Sequence, residues 1–131
     1  LPNETGLRNL MLLADMPGKV DKATARRAMV TLGLGPDEKK PVGKYSLGQR
    51  QRLGFAQAFM ENPDVLILDE PFNAMDKASM EEVHDLLQQF KRDGKTIILA
   101  SHSAADIEKA CDIVYEMENG NLNVIRDKTV N

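Results

Sequence analysis

Three groups of side chains in this sequence are suited to phosphate chemistry. Asp69-Glu70-Pro71 follows directly on the apolar run Val65-Leu66-Ile67-Leu68. Two adjacent carboxylates at the tip of such a run are costly unless something positive meets them. Side chains alternate along a strand, so the pair points two ways. One acid can hold a magnesium ion while the other faces a nucleophilic water, the division that phosphoryl transfer needs. The plainer alternative is a capped strand end with solvated acids. Ser101-His102 closes a second apolar run, Thr96-Ile97-Ile98-Leu99-Ala100. An imidazole there can hydrogen-bond a terminal phosphate or pass a proton, although His102 taken alone reads as a structural histidine. The third group is Ser46-Leu47-Gly48-Gln49-Arg50-Gln51-Arg52. A serine at a helix N-terminus, with Gly48 permitting close approach, is an anion site built from backbone N–H groups and the helix dipole. In isolation the same octet from Tyr45 is an ordinary serine cap followed by a solvated basic stripe.

The elements that must position these groups follow from periodicity and punctuation. Thr5 is placed to cap a helix carrying Leu7, Leu10, Met11 and Leu13 on one face. Asp21 caps a second helix that runs to Leu32 and stops at Gly33 and Gly35. Residues 35–45, punctuated by Pro36, Pro41 and Gly43, read as a loop. Ser46 opens a third helix ending before Asn62-Pro63, and its second half is apolar almost all round, which predicts burial. The run 65–68 predicts a parallel strand covered on both faces. A helix over residues 77–92 follows, with Val83, Leu86, Leu87 and Phe90 on its apolar stripe and His84 on the surface among Glu81, Glu82 and Asp85. Gly94 ends it. A second strand over 96–100, a short helix over 103–110 and a hairpin of 112–118 with 121–127 around Asn119-Gly120 complete the chain. Strand, helix and strand in that order imply a parallel pair with a right-handed crossover, and ligands sit beyond the carboxyl ends of such strands. Asp69, Glu70 and His102 fall there together.

Bulk properties set the limits. The 131 residues are 42% apolar and 28% charged, ordinary values for a folded domain. A net charge of -3 argues against broad affinity for nucleic acid, so no nucleic-acid partner is expected. No apolar run reaches the roughly 18 residues of a spanning helix. The lone Cys111 makes no internal disulfide and reads as core filler in a reducing cytoplasm.

Taken together, the groups carry a resemblance. Ser46-Leu47-Gly48-Gln49, with Leu66-Ile67-Leu68-Asp69-Glu70-Pro71 about twenty residues on, resembles the ABC ATPase signature followed by its Walker B strand. Asn73-Ala74-Met75-Asp76 looks like the family's D-loop and Ser101-His102 like its switch histidine. Thr5-Gly6-Leu7-Arg8-Asn9-Leu10 is similar to the stretch shortly after the glutamine loop, so the likeness covers nearly the whole chain. Tyr-Ser-Leu-Gly for Leu-Ser-Gly-Gly resembles subunits that energise export of drugs, antimicrobial peptides or lantibiotics.

The resemblance implies a fold and a set of roles. The fold is α/β: a three-layer, P-loop NTPase-like parallel-sheet fragment over residues 63–131, preceded by a helical signature subdomain over 1–62. Asp69 would organise Mg2+, Glu70 would act as general base, and His102 would contact the γ-phosphate of ATP. Ser46, Gly48 and Gln49 would touch the γ-phosphate held by a second ATPase subunit, with Asp76 linking the two sites of a homo- or heterodimer. A transmembrane permease subunit is the further partner, which places the chain in the cytoplasm on the inner face of the cell membrane. Leu47 departs from the usual glycine, and Met75 from the usual leucine with little change of volume.

The larger departure is the lack of G-x-x-x-x-G-K-[ST] between a strand and a helix. Gly94-Lys95-Thr96 supplies three letters, but Gln89 stands where the first glycine belongs and the segment precedes a strand. With Leu1-Pro2 at its start, the chain is expected to be a fragment that is inactive alone, binds ATP weakly and self-associates through an unpaired strand edge. Two other readings stand beside this one: an ABC-type DNA-repair or chromosome ATPase, and a non-catalytic module that offers its signature to a partner's ATP.

Overall fold

The computed structural model describes residues 1–14 and 20–130. Its elements are α1 (Gly6–Ala14), α2 (Lys22–Thr31), a 3-10 turn (Val42–Lys44), α3 (Leu47–Met60), β1 (Val65–Asp69), α4 (Lys77–Arg92), β2 (Thr96–Ala100), α5 (Ala104–Ala110), β3 (Ile113–Glu118) and β4 (Asn121–Asp127). The helix boundaries follow their caps. Thr5 Oγ1 accepts from Arg8 N–H at 3.2 Å, and Asp21 accepts from Thr24 N–H at 2.8 Å. Ser46 opens α3 with a full capping box: its hydroxyl accepts from Gln49 N–H at 3.1 Å and the Gln49 side chain accepts from Ser46 N–H at 2.9 Å. Each bond satisfies a donor that the first helical turn leaves without a backbone partner. At the other end of α2, Gly33 takes a left-handed φ of 70°, where a side chain would be strained.

β1 and β2 pair in parallel, in the register Val65 opposite Thr96 through Asp69 opposite Ala100. The inward residues Leu66 and Leu68, with Ile97 and Leu99 beside them, join a continuous apolar cluster with Leu10, Met29, Leu32, Leu53, Phe55, Met60, Phe72, Val83, Leu87 and Phe90. Phe59 sits edge-on to Phe90 with ring centroids 4.7 Å apart, and so ties α3 to α4. In the second half of α3, Leu53, Phe55, Ala56 and Met60 are buried as composition predicts, while Ala58 and Phe59 are half-buried.

The structure differs from the sequence expectation at three places. The first is the sheet. An uninterrupted apolar run predicts cover on both faces, yet Ile67 is 73% exposed and Val65 and Ile98 are exposed beside it. Helices lie against only one face among the described residues, so the run's second face is open. The second is His84, which is 4% exposed and stacks on Phe72 with ring centroids 4.8 Å apart and planes at 11°. It falls at i+4 from Met80 and i−3 from Leu87, a position that the acidic neighbours Glu81, Glu82 and Asp85 disguise. The third is Cys111, which is half-buried at the end of α5 rather than part of the core. Burial raises its thiol pKa and keeps it a thiol.

The antiparallel β3–β4 hairpin turns through Asn119 and Gly120, with φ of 50° and 79°. Two successive left-handed residues are what a two-residue hairpin turn requires. Arg126 anchors it by donating to the carbonyls of Cys111 and Ile107. Gly94, at φ 81°, closes α4, and the Lys95 N–H returns to the Phe90 carbonyl at 3.1 Å. Gly94-Lys95-Thr96 is therefore a helix-to-strand turn, as its place in the sequence predicts.

Candidate active site

The parallel register carries β1 and β2 to the same sheet edge, and the bond from Glu70 N–H to the Ala100 carbonyl at 2.8 Å extends the ladder one residue past β1. Glu70 then takes φ of 47°, a left-handed conformation that few non-glycine residues adopt. That twist turns its side chain toward the exit of β2. Oε1 accepts the His102 backbone N–H at 2.9 Å, and Oε2 lies 3.4 Å from Ser101 Oγ, which can donate to it. The His102 imidazole is fully exposed, with Nε2 3.6 Å from Glu70 Oε1. Glu70, Phe72, Asn73, His102, Ser103 and Asp106 line a shallow cleft of about 420 Å³.

Asp69 is exposed at the end of β1, and among the described residues its carboxylate meets no donor and no cation. The carboxylate of Glu70 is committed to β2, whereas that of Asp69 is free to take a hydrated divalent ion. Magnesium is commonly held by one or two carboxylates together with waters and substrate phosphates, so a single free carboxylate fits it. No cluster of three or more acidic, histidine or cysteine ligands that could cage a metal ion occurs among the described residues.

Past Glu70 the chain makes a tight turn. Asn73 N–H donates to the Glu70 carbonyl at 3.3 Å and Met75 N–H to the Phe72 carbonyl at 3.2 Å, while Ala74 takes φ of 59°. Asp76 ends the turn as the N-cap of α4. Its carboxylate accepts the Ser79 N–H at 2.7 Å, which holds its pKa below the usual carboxylate value. The first turn of α3 packs on this segment, and a Cβ at Gly48 would lie 3.2 Å from the Ala74 carbonyl oxygen. A side chain there would crowd that carbonyl and force a small adjustment of α3 or the turn.

The structure thus brings Asp69, Glu70 and His102 to one edge, with Asp76 at the far end of the same turn. Ser46 and Gln49 stand apart. Ser46 N–H and Oγ pair with Gln49 Oε1 and N–H, with Lys40 Nζ 3.4 Å from Gln49 Oε1, and Leu47 between them is 64% exposed. Two contributors escaped the sequence reading. Ser101 was grouped with His102 but given no role, and it supplies a hydroxyl to Glu70. Gln51, one of several polar residues on α3, donates from Nε2 to the Glu70 carbonyl at 3.3 Å and the Pro71 carbonyl at 2.9 Å. Its residue type gave no signal; only its place five residues past Ser46 on the same helix did.

The structure thus joins a parallel strand pair ending in an acid pair and a histidine to a serine-capped helix that leans on the turn that follows. Residues 1–73 match the family described as ABC transporter, and the chain belongs to that family. Among its curated relatives, a bacitracin transport ATP-binding protein of Enterococcus faecalis is 39% identical over 121 residues. That match covers 92% of this chain and 39% of the relative. A lantibiotic transport ATP-binding protein of Streptococcus pyogenes is 33% identical over 120 residues, covering 92% of this chain and 52% of the relative. The chain therefore spans between two-fifths and about half of the length of these relatives. Among solved structures, a dimeric bacterial ABC transporter cassette superposes with a TM-score of 0.79 at 22% identity, covering 96% of this chain and 59% of that one. The ADP conformation of another ABC transporter ATP-binding cassette gives 0.78 at 21% identity, covering 98% and 57%. Both show the α/β cassette fold.

Proposed function

We propose that this chain is the signature and Walker B portion of an ATP-hydrolysing subunit that powers membrane export, of drugs or antimicrobial peptides. The observation that carries the reading is the Glu70 side chain, fixed by β2 beside the His102 imidazole at the carboxyl edge of the parallel strands. The transport names of the relatives favour transport over DNA repair, and the bacitracin and lantibiotic in those names support the substrate class.

In this reading ATP enters through a phosphate-gripping segment that the 131 residues do not contain. Asp69 would hold Mg2+, which neutralises charge on the phosphates when bound. Glu70 takes the proton of a water whose oxygen bonds to the γ-phosphorus, as the bond from that phosphorus to the bridging oxygen breaks and ADP leaves. His102, whose imidazole is fully exposed, contacts the γ-phosphate. Ser46, which is exposed, and Gly48 and Gln49 beside it serve the ATP of a second ATPase subunit, with Asp76 at the junction. That division makes the working unit a dimer, docked through residues 1–62 on a transmembrane permease at the inner face of the membrane. Residues 63–131 then form the catalytic part.

The test is Glu70→Gln in the intact ATPase subunit. Loss of a general base costs about 10²–10⁴ in rate, while ATP binding persists because the nucleotide is gripped elsewhere. Turnover within twofold of wild type would refute the assignment.

A further inference from the structure

Glu70 holds a backbone conformation that it would not choose. Left-handed φ crowds Cβ against the backbone, and such residues persist only where the surroundings fix them. Three sets of contacts fix this one. Its N–H is tied to β2 through the Ala100 carbonyl, and its carboxylate is tied to β2 through His102 and Ser101. Its carbonyl receives Asn73 N–H from within the turn and Gln51 Nε2 from α3. Gln51 is the sole contact from outside the sheet edge in that set. A primary amide has two N–H donors, so a single Nε2 can serve the Glu70 and Pro71 carbonyls together. Pro71 is buried, which leaves its carbonyl little access to water should that donor go.

We infer that Gln51 is a positioning residue for Glu70, clamping the two peptide carbonyls at the end of β1 and so coupling α3 to the base. The inference rests on the reading of Glu70 as the base. This role asks for no contact between Gln51 and nucleotide. It acts by holding the Glu70 backbone in the left-handed well, and release of the clamp lets the carboxylate swing off its line to the attacking water. The same helix begins at Ser46, so a shift of α3 at its exposed N-terminus is transmitted to Glu70 through one side chain. Contact between the start of α3 and a second subunit would in this way set the geometry of the chain's own base.

Two substitutions in the intact ATPase subunit test this. Gln51→Met keeps the reach and removes both donors, and Gln51→Glu keeps the shape and donates only when protonated. A base displaced by a fraction of an ångström should lower kcat about tenfold to a hundredfold in Gln51→Met, with KM for ATP within about twofold of wild type. In Gln51→Glu the activity relative to wild type should climb as pH falls toward the carboxyl range, because the acid regains an O–H donor. Hydrogen exchange supplies a readout independent of catalysis: the Asn73 and Met75 amides should lose protection in Gln51→Met, while β1 amides keep theirs. Unchanged kcat in Gln51→Met, or a Gln51→Glu deficit that is flat with pH, would overturn the positioning role. Should wild type hydrolyse no ATP, the functional reading fails, and exchange alone then decides whether the clamp fixes the turn. Unchanged protection at Asn73 and Met75 overturns it.

Discussion

The carboxyl edge of the parallel strands and the first turn of α3 both offer groups that suit phosphate, but they are held in different ways. At the sheet edge, Glu70 is fixed by partners from β2, from its own turn and from α3, all distant in sequence except Asn73. At the start of α3, Ser46 and Gln49 satisfy each other within four residues, and Leu47 projects into solvent. The first arrangement needs the whole fold, whereas the second needs only a helix. A base must be aimed within fractions of an ångström, which many long-range contacts achieve. A surface that meets a second subunit must be presented, and a locally self-sufficient cap does that without drawing on the core.

If that contrast is right, damage beneath the sheet edge should cost far more than damage to the cap. Phe72 is 6% exposed and supports the turn after Glu70 through its stack on His84. Phe72→Ala should cost about 3–5 kcal/mol by denaturant unfolding and reduce turnover with it.

His84 gives the contrast a pH dependence. Burial lowers its pKa below the ordinary 6.5, opposed by Glu81, Asp106 and Asp85 and reinforced by Lys109. Its folded value is depressed, so the unfolded chain binds the proton more readily once the pH drops under 6.5. Stability is therefore complete above that value, declines as pH falls through it, and levels off below the folded value. His84→Phe should flatten this decline in urea melts taken across the range, whereas an unchanged slope would show that other groups cause it.

Ser46→Ala, by comparison, removes one half of a capping box and should cost only about 1 kcal/mol. Loss of the cap frays the first turn without shifting Gln51, so Glu70 amide protection is expected to match wild type.

The same contrast explains what the sequence disclosed. Caps, stops and the hairpin turn are local, and Asp21, Ser46, Gly33 and Asn119-Gly120 announce them through their own backbone preferences. The meeting of Glu70 with His102 was legible because parallel strands must end at one edge. Three features were not. His84 is buried by the aromatic face of Phe72, and no helical pattern of charges reveals a ring twelve residues back. Val65 and Ile67 read as covered because an apolar run carries no label for which face is open. Gln51 earns its place through two backbone carbonyls, and carbonyls are the same in every residue.

The central claim is that the sheet edge serves the chain's own nucleotide while the start of α3 serves a partner's. Mixing two disabled variants of the intact subunit tests it directly. Glu70→Gln and Ser46→Arg should each abolish most turnover as pure dimers. When they are mixed, one site of each mixed dimer combines the unaltered Glu70 of one chain with the unaltered Ser46 of the other, and ATP hydrolysis should return. If Glu70 and Ser46 instead served the same nucleotide within one chain, both sites of the mixed dimer would remain broken. Turnover that stays at the level of the pure variants, under conditions where mixed dimers form, would contradict the account.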